Sequence, residues 1–89
     1  MQGPIFLDIG WSDYLYWQSE DKKTLNKINK LIRDIMRDPY DGAGHPEPLK
    51  HDQSGKWSRR IDTKNRLIYR ILDDGTLAIY QCKGHYQDK

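Results

Sequence analysis

Cysteine is almost absent from this sequence, and long apolar runs are absent altogether. The single Cys82 can form neither a disulfide within the chain nor the spacing of a zinc knuckle, which fits a reducing compartment. No apolar run approaches the length of a bilayer-spanning helix, and the N-terminus lacks the charged start and apolar stretch of a secretion signal. We therefore expect a cytoplasmic protein that has no membrane partner.

Metal-ligand spacing, internal repeats, low-complexity tracts and linkers are also missing. The three histidines, His45, His51 and His85, are not spaced like ligands of one ion, so we predict no metal site and no cofactor. The 89 residues suffice for one small core. A single domain over residues 1–89 is predicted.

Charge is nearly balanced over the chain but unevenly distributed. The formal net charge is +2, and residues 45–70 contain seven Lys or Arg against three Asp or Glu. A basic segment on an almost neutral chain favours a focused anion site over a general nucleic-acid coat. Charge runs are more often solvated surface, so charge alone leaves that alternative open.

Hydrophobic periodicity predicts helices in the first half. The run "PIFLDI" favours a short first strand, and "WSDYLYWQSE" has helical spacing. After Asp21, a capping residue, one apolar stripe predicts a second helix that Pro39 ends. The stripe consists of Leu25, Ile28, Leu31, Ile32, Ile35 and Met36. The following "DPYDGAGHPEP" is typical of a loop.

The second half changes to a period of two. "KWSRRI", "NRLIYRIL" and "TLAIYQC" predict three strands joined by the turns "DTKN" and "DDG". The alternation places Arg66, Ile68 and Arg70 on one face of the middle strand. Arginines there imply a face that is wet or binds a ligand. The fold class is therefore α+β, with a small antiparallel meander covered by two N-terminal helices.

The stretch "HPEPLKHDQSGKWSRRID" places Glu47 between two prolines inside the basic segment. The prolines restrict φ at positions 46 and 48 and so limit where the carboxylate points. RNA cleavage without a metal needs a base for the ribose 2′-OH, cations for the phosphoryl oxygens and an acid for the leaving 5′-oxygen. Glu47 and His85 fit the base and the acid, and the sequence does not decide which is which.

The cations of such a site have candidates as well. Arg60 and Arg66 can hold a phosphate with two parallel hydrogen bonds, and Lys50 adds a point charge. Tyr86 is a further candidate beside His85. Each has a simpler explanation: Arg60 and Arg66 as exposed strand residues, and His85 as an idle residue near the chain end. Glu47 can equally be an ion-pair partner of Arg59 or Arg60.

Several segments together resemble one known family. "DYLYWQ", "DKKTLNKINKLIRDI", "DGAGHPEPLKHDQSGKWSRRI", "NRLIYRI" and the closing "HY" are similar to the YoeB/Txe toxins of bacterial toxin–antitoxin modules, which have the wider RelE-like fold. The resemblance extends from about Trp11 to Tyr86. The sequence departs from the family in "DDGT", one residue longer through Gly75, in the tail 87–89, and in the opening "MQGPIF".

The resemblance implies an endoribonuclease that cuts mRNA in the A site of the translating ribosome and stops protein synthesis. It implies catalytic roles for Glu47, Arg66, His85 and Tyr86. It implies RNA or phosphate binding by Lys50, Arg59 and Arg60. The products would be a 2′,3′-cyclic phosphate, which can open to a 3′-phosphate, and a 5′-hydroxyl.

The resemblance also implies partners. These are a Phd/YefM-type antitoxin, the 70S ribosome with its mRNA, operator DNA through the antitoxin complex alone, and a second copy in a homodimer. Two other functions stay open at this point. A degenerate, non-catalytic toxin would act only as an antitoxin-dependent co-repressor at operator DNA, and a general single-strand RNase would cut naked RNA efficiently.

Overall fold

The computed structural model describes residues 3–84, which form two α-helices and five strands. In chain order these are β1 (Ile5–Phe6), α1 (Asp8–Glu20), α2 (Lys22–Arg37), β2 (Glu47–Pro48), β3 (Trp57–Arg60), β4 (Arg66–Ile71) and β5 (Leu77–Gln81). A short 3₁₀ turn, His51–Gln53, lies between β2 and β3. The α+β prediction with two N-terminal helices is confirmed.

Helix α2 is amphipathic, as its apolar spacing predicts. The carboxylate of Asp21 caps it by accepting hydrogen bonds from the backbone N–H groups of Lys23 at 3.1 Å and Thr24 at 3.3 Å. The centre of the apolar stripe is buried, namely Ile28, Leu31, Ile32 and Ile35. Burial of this stripe is the main stabilisation of the helix, since isolated helices of this length are marginal in water.

Helix α1 is apolar on several sides and buries only part of that surface. Trp17 is buried, and its Nε1–H donates to the carbonyl of Cys82 at 2.8 Å, which ties α1 to the end of β5. Other large side chains of this region remain exposed. They are Ile5, Leu7, Ile9, Trp11, Leu15 and Tyr16, and we call them the N-terminal apolar patch.

The sheet has the order β1-β5-β4-β3-β2. Strands β3 to β5 form the predicted antiparallel meander, β2 extends it beyond β3, and β1 pairs with β5 in parallel. The sheet is therefore mixed. After β1 the chain passes through both helices and then strands β2 to β4, and it returns as β5 beside β1. Glu47–Pro48 was predicted as loop but forms the edge strand β2, which is too short for a periodic signal.

The additional glycine of "DDGT" does not disturb the turn in which it lies. Gly75 has φ +90° and donates its N–H to Leu72 at 2.8 Å, and Ile71 pairs with Leu77 directly beyond the turn. The register of β4 and β5 shifts further along, between Ile68 and Tyr69. Across residues 3–84, no helix combines the length and the apolar composition that crossing a membrane requires.

Candidate active site on the sheet face opposite the helices

Strand pairing decides which side chains share a face of the sheet. Residues that are paired directly across neighbouring strands point to the same side, and successive residues alternate. One row across β2 to β5 consists of Glu47, Ser58, Ile68 and Gln81. Leu67, next to Ile68, belongs to the core under the helices. The row therefore faces away from the helices, on what we call the distal face.

Arg60 and Arg66 occupy the next row of the distal face. They are paired directly across β3 and β4, and each lies two residues along its strand from the row of Glu47. That separation is about 7 Å, which an arginine side chain can span. Glu47 and Arg60 are exposed, and Arg66 is half-buried. The fold thus brings the predicted carboxylate and two predicted phosphate-binding arginines to one face.

The carboxylate of Glu47 is available for chemistry. Among residues 3–84 the ion pairs are Asp34 with Arg37 and Asp34 with Arg59, so neither Arg59 nor Arg60 pairs with Glu47 there. The simpler explanation of Glu47 as an ion-pair partner is not supported within that range. Its backbone is extended, and its side chain lies at the edge of the distal face beside Ser58.

The turn before β4 forms hydrogen bonds with both Arg66 and Gly84, which is the last described residue. The Nη1 of Arg66 donates to the carbonyl oxygens of Asp62 at 2.7 Å and Asn65 at 3.1 Å. Within the described range, no hydrogen bond uses its Nε or Nη2, and this edge of the guanidinium suits a phosphate. Gly84 donates its N–H to Oδ1 of Asn65 at 2.7 Å. Gly84 therefore lies beside Arg66.

The remaining predicted site residues are Lys50, His85 and Tyr86. Lys50 is exposed, three positions after Glu47, and its side chain makes no hydrogen bond or ion pair within residues 3–84. His85 and Tyr86 lie outside the described residues, and their roles stay predictions. Gly84, which precedes them in the sequence, is the last described residue.

Arg59 is a correction to the sequence-based prediction. Its side chain is 0% exposed, because it points from β3 towards the helices. The five N–H groups of the guanidinium all donate inside the protein. The acceptors are the Tyr69 hydroxyl, the Asp34 carboxylate, and the carbonyls of Asp38, Asp41 and Ala43. Burial contradicts RNA binding by Arg59, which has no donor left for a phosphate.

Asp34 is the charged partner of Arg59. Its Oδ2 accepts from Nη1 of Arg59 at 2.5 Å and from the backbone N–H of Ala43 at 2.9 Å, and its Oδ1 accepts from Arg37. The hydrogen bond from Arg37, then those from Ala43 and Arg59, lower the pKa of Asp34 to about 2. A carboxylate held in this way stays ionised at all ordinary pH values.

A cavity of about 810 Å³ along α2 is not the predicted site. Its lining includes Lys23, Lys27 and Lys30 of α2, and it contains none of the predicted catalytic residues. Two apolar lining residues, Leu31 and Ile61, are only 3% and 1% exposed. The candidate chemistry therefore lies on the distal face and not in this cavity.

The sequence-based analysis missed the residues that support the site. Asp62 and Asn65 were predicted only as turn residues, but they bind the guanidinium of Arg66 and the N–H of Gly84. The tendency of Asp side chains to bond nearby backbone groups predicts only the turn itself, where Asp62 accepts from the N–H groups of Lys64 and Asn65. The contact of Asn65 with the distant Gly84 has no local signal. In the part of the chain described, no three His, Cys, Asp or Glu residues are grouped in a way that could hold a metal ion.

The chain is similar to known proteins over most of its length. Residues 6–86 match the model of a family described as YoeB-like toxin of bacterial type II toxin-antitoxin system. The chain belongs to this family. It is 52% identical over 82 residues to Toxin YoeB of Escherichia coli K12, which covers 92% of this chain and 96% of that toxin. The family prediction is confirmed.

Solved structures of family members have the same fold. The YoeB/ParE toxin from Agrobacterium tumefaciens superposes with a TM-score of 0.92 at 42% identity, over 96% of this chain and 100% of that one. A YoeB-YefM complex from Staphylococcus aureus gives 0.88 at 39% identity, over 97% and 99% of the two chains. The S. aureus YoeB dimer superposes with a TM-score of 0.86 at 41% identity, over 94% of this chain and 97% of that one. The predicted RelE-like fold is confirmed.

Proposed function

We propose that this YoeB-family toxin is an endoribonuclease that cuts mRNA in the A site of the translating ribosome. The observation that carries the proposal is the register that places Glu47, Arg60 and Arg66 together on the distal face. Gly84 lies against the same turn as Arg66, and His85 follows it in the sequence. Membership of a toxin family agrees with this function.

The proposed reaction is an attack of the ribose 2′-oxygen on the neighbouring phosphorus. Glu47, exposed and without an ion pair among residues 3–84, takes the proton of the 2′-OH. A new bond forms between that oxygen and phosphorus while the bond to the 5′-oxygen breaks. His85 gives a proton to the departing 5′-oxygen, and Tyr86 assists beside it. The products are a 2′,3′-cyclic phosphate and a 5′-hydroxyl.

The cations act on the charge that develops during this step. Arg66 has one edge of its guanidinium free of bonds within the described chain, and Arg60 stands directly opposite. Both are aimed at the phosphoryl oxygens, where each charged hydrogen bond is strongest in the transition state. Lys50 adds a positive charge at the edge of the site.

The ribosome supplies the binding surface that this small site lacks. Affinity for RNA rises with the number of phosphates neutralised, and three exposed or half-buried cations, Lys50, Arg60 and Arg66, bind a single strand weakly. We infer that ribosomal RNA holds the toxin and the mRNA together. Since we propose that the toxin acts on ribosomes, we also propose that it is located in the bacterial cytoplasm.

Control of the toxin is proposed to follow its S. aureus relative. That YoeB occurs in a complex with YefM, and we infer that a Phd/YefM-type antitoxin binds and silences this chain. Contact with operator DNA would then occur only through the antitoxin complex.

The N-terminal apolar patch supports a homodimer. Trp11, Leu15 and Tyr16 are 49%, 41% and 42% exposed, and apolar clusters of this kind mark protein interfaces. A S. aureus relative is a YoeB dimer. We propose that two copies of this chain bury the patch against each other around a twofold axis.

The test is cleavage by purified toxin on ribosomes programmed with a defined mRNA, read by mapping the 5′-ends of the products. Wild-type toxin should cut within the A-site codon, whereas Glu47→Ala, Arg66→Ala and His85→Ala should each lose at least about a hundredfold in rate. Glu20→Ala, which changes an exposed carboxylate on α1, is the matched control and should cut like wild type.

Two results would contradict the proposal. If the three variants cut as fast as wild type, the chemistry is not on the distal face. If wild type cuts naked RNA as efficiently as ribosome-bound mRNA, the protein is a general RNase.

A further inference from the structure

We infer that Arg59 is a positioning residue, which sets where the carboxylate of Glu47 stands relative to Arg60 and Arg66. This inference rests on the proposed nuclease function and deepens it. Arg59 does not touch RNA, since its side chain is fully buried. It acts through the loop that leads from α2 to β2.

The guanidinium of Arg59 binds this loop at three points. Nη2 donates to the carbonyls of Asp38 at 2.7 Å and Asp41 at 3.1 Å, and Nη1 donates to that of Ala43 at 3.0 Å. Tyr69 adds a fourth point by donating its hydroxyl to the carbonyl of Pro39 at 2.5 Å. The loop thus wraps around one side chain of β3 before it reaches Glu47.

The same contacts connect α2 to the loop. Asp34 on α2 accepts from both the Arg59 guanidinium and the N–H of Ala43. Glycine is required at position 42, where a Cβ would stand 2.3 Å from Oδ2 of Asp34, and φ is +125°. The path of the loop therefore depends on Arg59 and Asp34 together.

Strand β2 cannot hold Glu47 in place by itself. It has two residues, and Glu47 lies between Pro46 and Pro48, which have no backbone N–H to donate. On the β3 side, Glu47 pairs with Ser58, and the N–H of Leu49 donates to the carbonyl of Lys56 at 2.9 Å. On the loop side, the N–H of Arg60 donates to the carbonyl of Gly44 at 2.6 Å. Glu47 is consequently placed by this short pairing together with the loop that precedes it.

Neighbouring residues of β3 thus serve opposite faces of the sheet. Arg59 points towards the helices and holds the loop, while Arg60 points to the distal face, and strand geometry rigidly couples the two. Loss of the Arg59 contacts would move Glu47 and leave Arg60 and Arg66 in place. Misplacement of a catalytic group by about 1 Å can cost on the order of a hundredfold in rate.

The experiment measures single-turnover cleavage on programmed ribosomes for Arg59→Lys and for Tyr69→Phe. Lysine keeps the charge beside Asp34 but cannot reach three carbonyls, and Tyr69→Phe removes the bond to Pro39 while retaining the ring. We expect the maximal rate to fall at least about tenfold in both variants, with the half-saturating toxin concentration changed less than about twofold.

A core control separates positioning from general destabilisation. Ile28→Val shortens a core residue of α2 that is 0% exposed and whose side chain makes no hydrogen bond to the loop, so its maximal rate should stay within about twofold of wild type. Arg59→Lys should also cause no further loss when combined with Glu47→Gln, because both changes act on the same group.

Three outcomes of the cleavage measurements would overturn the inference. These are a wild-type maximal rate in both Arg59→Lys and Tyr69→Phe, an equal loss in Ile28→Val, and fully additive losses in the double variant. The nitrogen–proton spectrum supplies a readout that needs no cleavage. The amides of Gly44 and Glu47 should shift in Arg59→Lys and in Tyr69→Phe, while that of Gly75 does not. If the amides of Gly44 and Glu47 shift although wild type cuts no RNA, the nuclease proposal fails and the positioning by Arg59 stands. If these amides do not shift, the positioning is overturned.

Discussion

The backbone N–H of Arg66 donates a hydrogen bond of 2.9 Å to the carbonyl of Gly84. This bond joins the start of β4 to the residue that precedes His85 in the sequence. Asn65 completes the junction by accepting from the N–H of Gly84 at 2.7 Å. Residues far apart in the chain are therefore adjacent at the edge of the candidate site.

Asn65→Ala tests this junction. It removes the acceptor for Gly84 and two bonds to Asp62, so we expect a loss of about 1 kcal/mol in unfolding free energy and a cleavage rate reduced about tenfold. Urea unfolding and single-turnover cleavage measure the two effects. Thr63→Ala changes an exposed residue of the same turn and should leave both values unchanged. Wild-type cleavage by Asn65→Ala would show that the junction does not matter for the site.

Arg66→Lys tests the guanidinium as a phosphate ligand. Lysine retains the charge but loses the paired N–H groups, and such a change is not conservative at a bidentate site. We expect the maximal cleavage rate to fall about a hundredfold. Arg70→Lys is the matched control, because Arg70 lies on the same face of β4, is exposed, and pairs with Ala78. Equal rates for the two variants would contradict a special role for Arg66.

Gly42→Ala tests the close approach between the loop and Asp34. The added Cβ would stand 2.3 Å from Oδ2, whereas at Gly75, also at positive φ, it meets nothing within 4 Å. Gly75→Ala should cost about 1–2 kcal/mol of unfolding free energy from φ alone, and Gly42→Ala about 3 kcal/mol or more. Equal costs in urea unfolding would show that the loop relaxes away from Asp34.

Asp34 predicts a specific loss of stability in acid. Its pKa in the folded protein, about 2, lies below the ordinary 3.8, so it stabilises the fold fully above about pH 4. That contribution falls as the pH drops from about 4 through 2. Asp34→Asn should flatten this part of the curve of unfolding free energy against pH. A curve unchanged in Asp34→Asn would contradict the assigned pKa.

Leu15→Glu tests the proposed homodimer. A carboxylate placed in an apolar interface is left without a partner and should raise the dimer dissociation constant at least about a hundredfold. Light scattering on a concentration series measures the mass. Tyr40→Glu, which changes an exposed ring outside the N-terminal apolar patch, should leave the dimer intact. A Leu15→Glu dimer as tight as wild type would place the interface elsewhere.

Much of the fold follows from local patterns. The stripe of α2 predicted its buried residues because helical spacing places them on one side, and the Asp21 cap follows from side-chain chemistry alone. Alternation in β4 likewise separated Leu67 and Tyr69 from Arg66 and Arg70. Strand β2 was missed because two residues flanked by prolines resemble a loop, and the parallel β1 pairing leaves no mark on a period-two pattern.

Arg59 and Arg60 show where sequence reasoning ended. Two adjacent arginines in a basic segment are alike in charge and chemistry, and both resembled phosphate ligands. Only tertiary structure assigns one to the distal face and buries the other.

By itself, the sequence determined both helices, every strand except β2, the fold class, the family and the residue types that a nuclease site needs. Periodicity and side-chain chemistry are local properties, so they can be recognised in short stretches of the sequence. Tertiary structure alone decided that Glu47, Arg60 and Arg66 share the distal face, and that the loop before Glu47 closes around Arg59. It also decided that Gly84 lies beside Arg66. Strand register and the burial of a charge depend on residues distant in the chain, and no single stretch contains them.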